Sequence, residues 1–182
     1  MKIRELFEDQ SSFLKTREEI EAWLQSMKIE NYTINDDLSV DVKGDVDLFS
    51  SRLTSIPVQF RNVDGYFACA YNKLTSLQGG PREVGGKYWC HQNQLTSLQG
   101  APREVGRDFN CSNNQLTSLQ GGPREVGGDF DCSKNKLKTL QGGPREVGGK
   151  YWCHSNKLLK SLEGIGNVSG EIEADRRLKQ LK

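Results

Sequence analysis

The 182-residue chain has no run of 18 apolar residues, no Cys-x-x-Cys pair, no Gly-Lys-Ser/Thr motif, and only two histidines, His91 and His154. Each absence closes a route. No segment is long and apolar enough to read as a membrane-spanning helix. The N-terminal MKIRELFEDQSS lacks the apolar stretch and small-residue cleavage site of a signal peptide, so a soluble cytoplasmic protein is expected. Without paired cysteines there is no zinc-ribbon spacing, and without a Lys-Ser/Thr partner the Gly-Gly pairs are corners, not phosphate cradles. Neither a metal nor another cofactor is expected. A net charge of +1 gives no global attraction to nucleic acid or membrane.

What the chain has in abundance is repetition. Cys69, Cys90, Cys111, Cys132 and Cys153 are spaced 21 residues apart, as are Pro81, Pro102, Pro123 and Pro144 and the asparagines from Asn72 to Asn156. A fixed period of this length marks a solenoid, in which each unit buries its apolar face only against its neighbours. The frame extends backward to Val42, Gly44, Val46, Leu48, Leu53 and Ile56, which makes six turns. The cysteine count is odd and all five share one place in the repeat, so reduced thiols are expected.

The flanks depart from the repeat. Residues 1–41 read as a cap: a short amphipathic helix over 2–14, a second helix opened by a Thr16/Glu19 capping box with Ile20, Trp23, Leu24 and Met27 on one stripe, and strands at 32–35 and 38–42. Residues 42–167 hold the six repeats. Near their end, 157–160 inserts one residue and 163–168 deletes one. Residues 168–182 read as a capping strand and a charged tail carrying Leu178 and Leu181.

Written through one turn as Tyr88-x-Cys90-x-x-Asn93-x-Leu95-x-x-Leu98, the unit resembles a leucine-rich repeat. Its Leu-Thr-Ser-Leu segment is similar to that of short-repeat bacterial effector proteins. Combined with Gly-Gly-Pro-Arg-Glu-Val-Gly-Gly and a helical cap, it resembles repeat proteins of bacteriophages and bacteria. The resemblance implies a right-handed solenoid, mainly β, with parallel strands on the concave face and an N-terminal α-helical cap. It also implies protein binding on that face, with inhibition of a host bacterial protein as the concrete version. The effectors often append a ubiquitin-ligase domain; the sequence here leaves no room for one, and no enzyme is expected.

Strand alternation sends Phe67, Tyr88, Phe109, Phe130, Tyr151 and the cysteines inward, and Lys87, Trp89 and His91 outward. The asparagines are expected to form a ladder satisfying backbone groups at the strand ends, and the columns Arg82–Arg145 and Glu83–Glu146 a solvated ion-pair rim. The outward positions are where the repeats disagree. Lys87-Tyr-Trp89-Cys-His91 recurs as Lys150-Tyr-Trp152-Cys-His154, while the two turns between carry Asp108 and Asn110, then Asp129 and Asp131. At about 4.8 Å per turn the tryptophans stand roughly 14 Å apart, as matching pillars around an acidic centre. Exposed tryptophan suits a binding hot spot. The surplus of acids on this face favours a partner with a basic surface, and direct nucleic-acid binding by the protein is not expected. Two other roles stay open: self-association through the tryptophans, and clamping of a nucleotide-like small molecule.

Overall fold

A computed structural model describes residues 13–179. The repeats form a β-solenoid of about six turns, and each turn contributes to two parallel sheets. Helix α1 (Arg17–Ser26) starts where expected: the Thr16 hydroxyl accepts from the Glu19 N–H, and the Glu19 carboxylate returns to the Thr16 N–H. Its stripe Ile20, Trp23 and Leu24 is buried against the first turns. Strands β1 (Tyr32–Ile34) and β2 (Ser39–Val42) pair antiparallel, and β2 then pairs in parallel with Gln59–Val63, handing the cap on to the solenoid. The helix expected over 2–14 lies almost wholly outside the described residues, as does the end of the tail.

The eight-stranded sheet continues from Gln59–Val63 through Glu83–Val84, Glu104–Val105, Glu125–Val126 and Glu146–Val147 to Asn167–Val168. The seven-stranded sheet runs from Val46–Asp47 through Phe67–Ala68, Tyr88–Trp89, Phe109–Asn110, Phe130–Asp131 and Tyr151–Trp152 to Ile172–Glu173. One family of parallel strands was expected; there are two. The Pro-Arg-Glu-Val segment is itself a strand, only two residues long, separated from the next by a corner that is Gly-Gly in most turns.

That second sheet overturns the expected Arg/Glu rim. Among the described residues no ion pair joins the two columns. Glu83, Glu104, Glu125 and Glu146 instead stand in register along the eight-stranded sheet, lining a groove of about 780 Å³, while Arg82 and Arg103 line a different depression. Parallel in-register pairing brings like onto like, so each column stacks on itself and cannot alternate in sign.

Between the sheets lies the core. Phe67, Tyr88, Phe109 and Phe130 stack with centroids 5.2, 5.3 and 5.6 Å apart and planes within 9°. Leu74, Leu95, Leu116 and Leu137 are fully buried beneath them, each contributing about 1.5–3 kcal/mol. The five thiols are unpaired and buried, and burial pushes Cys69 up to about 12. The amide ladder forms as expected. The Asn114 Oδ1 accepts from the Leu95 N–H at 3.0 Å while its Nδ2 donates to the Cys90 and Cys111 carbonyls at 3.1 Å, and the other four asparagines repeat this. The late insertion is absorbed by expelling one side chain: Leu159 takes the core slot and Leu158 is left half exposed.

Candidate functional site

The outward columns of the seven-stranded sheet carry the residues singled out from sequence. Strand register places Asp47, Ala68, Trp89, Asn110, Asp131, Trp152 and Glu173 in one row, so both tryptophans share a face and a column. Trp89 and Trp152 are both half-buried. Lys87 Nζ lies 5.6 Å from the Trp89 ring and Lys150 Nζ 5.7 Å from that of Trp152, inside cation–π range.

The pillars nevertheless differ, because their neighbours do. Trp89 follows Ala68, which is almost fully buried, and its ring lies 5.8 Å from Tyr66. Lys87 pairs with Asp108 at 2.9 Å. Trp152 has Asp131 before it in the column and meets His154 at 6.2 Å, while Lys150 pairs with Glu171 at 2.9 Å. His91 meets the Tyr71 ring edge-on at 5.4 Å, and its Nδ1 is buried without a hydrogen-bond partner. Burial lowers the His91 pKa against the opposing pull of Asp131, which favours the neutral ring. His154 instead holds Ser155 Oγ at 3.2 Å through Nδ1.

The acidic centre is occupied by structural work. Asn110 Oδ1 accepts from the Ser112 N–H at 2.9 Å, and Asp131 Oδ1 does the same for Ser133. Asp47 Oδ1 makes the same turn with the Phe49 N–H at 2.9 Å, so the Asx residue alone sets it, and Ser112 adds a hydroxyl that donates to Asn110 Oδ1 at 2.7 Å. Asp108 Oδ1 accepts from the Asp129 N–H at 3.1 Å, and Asp129 Oδ1 from the Lys150 N–H at 2.7 Å, across the interval between turns. Burial works to raise the Asp108 carboxyl, but the Lys87 ammonium and the Asp129 N–H outweigh it and hold it below the usual range.

Two aromatics missed in the sequence complete the face. Phe49 and Tyr71 are each 50% exposed, with rings 5.0 Å apart, and Tyr71 continues to His91. Phe49, Tyr71 and His91 thus form one aromatic run over the early turns, and Tyr66 with Trp89 a second. Tyr71 sits at a φ of 56°, in the left-handed region that a bulky side chain adopts at a cost of about 1–2 kcal/mol. Its equivalents are Ser50, Gln92, Asn113, Lys134 and Ser155. The departure is visible in the sequence, in the turn before Cys90.

The thiols lie in the core, and their neighbouring imidazoles point away from them. Among the described residues no group of three His, Cys, Asp or Glu could hold a metal ion, and no helix is long and apolar enough to cross a membrane. Comparison with protein-family models, with curated proteins and with solved structures returned no match.

Proposed function

We propose that this chain is a non-enzymatic protein-binding module that engages its partner through the aromatic face of the seven-stranded sheet. The observation that carries this is Tyr71: half exposed, ring against Phe49, in a backbone conformation where asparagine, used by a later turn, costs less. Folding alone gives no reason to place an aromatic there, and aromatic anchors dominate binding hot spots. Asp45 and Asp47 flank the patch, and they face Tyr66 closely enough, with burial, to raise its phenol pKa. That charge suits a basic partner surface. The likeness of the repeat to those of bacteriophage and bacterial proteins makes a host bacterial protein in the cytoplasm the proposed partner, inhibited or redirected by the contact.

A pull-down from bacterial lysate with the native chain and with a Phe49→Ser, Tyr71→Asn double variant tests the assignment. Both replacements are residues that other turns carry in the same columns. Loss of a specific partner from the variant, with an unchanged unfolding temperature, is expected. Equal recovery of every partner would remove this face.

A further inference from the structure

Apart from Glu163, the carboxylates of the six repeats lie on the two strands and the corner between them. The remaining side of each turn, residues 70–82, 91–103, 112–124, 133–145 and 154–166, contains ten lysines and arginines and one carboxylate, Glu163. All ten are exposed, and none forms an ion pair with any described residue. The molecule is therefore electrostatically two-sided, which its net charge of +1 conceals.

The cations concentrate in the last two turns. Lys134, Lys136 and Lys138 alternate with the buried Asn135 and Leu137, so all three project from one side. Lys157 follows Lys136 in its column, and Lys160 follows Lys138 once the inserted residue is allowed for. Extended-chain reach sets alternate residues at most about 7 Å apart, and adjacent turns lie about 4.8 Å apart, so five ammonium groups share a small grid. In earlier turns these positions hold Gln92, Gln94 and Thr96, then Asn113, Gln115 and Thr117. The lysines are thus a second break in the repetition, beginning with Lys134 in the column of Tyr71, three turns further along the stack. Amides and hydroxyls continue the grid as neutral hydrogen-bonding groups of the kind that contact phosphate and sugar. The Lys136 ammonium already donates to Gln115 at 3.1 Å.

From this segregation we propose that the lysine grid of the last two turns binds the phosphate backbone of double-stranded nucleic acid, without sequence preference. The occupant is a polyanion because five cations without an ion pair stand together, with acids at the border alone: Asp175 against the Ser155 N–H, and Glu163 beyond Lys160. A duplex is favoured because the grid carries no aromatic platform on which unstacked bases could lie. A lipid surface is disfavoured because Leu158 is the sole large apolar side chain exposed among the described residues there, and interfacial binding needs a continuous apolar face. Tyr71 stands three turns before Lys134 in one column, roughly 14 Å away at about 4.8 Å per turn, so a partner protein held at Phe49 and Tyr71 would be brought beside the nucleic acid. The proposal does not depend on the protein-binding role.

Fluorescence anisotropy of the full chain against a labelled random-sequence DNA duplex, titrated between about 50 and 200 mM salt, tests it. With all five lysines engaged, the log–log salt slope is expected at about −4.5, and two unrelated duplexes should bind alike. The triple variant Lys134→Asn, Lys136→Gln, Lys138→Thr restores the residues of the turn at 113–117, which the fold already accepts. It should reduce the magnitude of the slope by nearly 3 and weaken binding at least 100-fold at low salt, with an unfolding temperature within two or so degrees of wild type. Lys43→Gln, in the first turn, should change neither slope nor affinity. No binding at about 50 mM salt, an unchanged slope in the triple variant, or capture by anionic lipid vesicles without capture by the duplex would each overturn the proposal.

Discussion

The ring of Trp89 lies 5.8 Å from that of Tyr66, inclined by 30°, while the same tryptophan three turns on, Trp152, has no tyrosine in reach and leans on His154. Identical pentapeptides thus sit in unlike settings. The Asx/Ser turns offer a replacement the fold already uses. Trp89→Asn with His91→Ser should weaken partner capture at least tenfold, and Trp152→Asn with His154→Ser by less than threefold. The check is titration of the captured partner against each double variant, and equal losses would restore the symmetric pair of pillars.

Tyr71 puts stability and binding in opposition. Tyr71→Asn relieves a bulky side chain at a φ of 56° and loses only partial ring contacts, so the folded state should gain about 0.5–1 kcal/mol. Urea denaturation measures the gain, and the same variant should bind its partner more weakly. A destabilised Tyr71→Asn would show that the ring serves packing.

The amide ladder makes an isosteric test possible. Asn114→Ala leaves the Leu95 N–H and the Cys90 and Cys111 carbonyls short of a partner in the core and should cost about 2–3 kcal/mol. Asn114→Asp keeps the acceptor for Leu95 but turns a carboxylate toward two carbonyls. Burial and those carbonyls raise its folded pKa above the unfolded value of about 3.9. Its stability is therefore present below that pH and lost as pH rises through the folded pKa. Denaturation at pH 7 should find Asn114→Asp no more stable than Asn114→Ala, and at about pH 4 the difference should shrink or reverse.

Glycine at one corner is tied to the carboxylate of the turn before. A Cβ on Gly128 would lie 2.3 Å from Asp108 Oδ1, one on Gly149 2.2 Å from Asp129 Oδ1, and one on Gly65 2.1 Å from Asp45 Oδ1. Arg107 is the one non-glycine among these corners, and the residue in the place of the aspartate is Lys87. Gly128→Arg should therefore cost about 2–3 kcal/mol. Asp108→Lys in the same chain should recover at least half of that, as read by a double-mutant cycle in urea. Additive losses would assign the glycine to backbone packing alone.

Much of the architecture was determined by the sequence, because periodicity is a one-dimensional property. The 21-residue spacing, the Thr16/Glu19 box, the alternation around Cys90 and the asparagine at the end of each strand led to turns, cap, inward columns and amide ladder, which the structure shows. The two-residue strands at Glu83–Val84 and its equivalents were not legible, since two residues carry no alternation to detect. With them went the separation of glutamate from arginine, which depends on how each turn bends at its glycine corner. The candidate face was half legible. Trp89, Trp152 and their partners were marked by the break in repetition, but the burial of His91 Nδ1, the stack of Trp89 on Tyr66 and the exposed pair Phe49 and Tyr71 depend on neighbours a full turn away. Sequence by itself determined which columns exist and what each contains. Tertiary structure decided which columns touch, because contacts between turns depend on the size of the side chain stacked 21 residues earlier, such as Ala68 before Trp89 and Asp131 before Trp152.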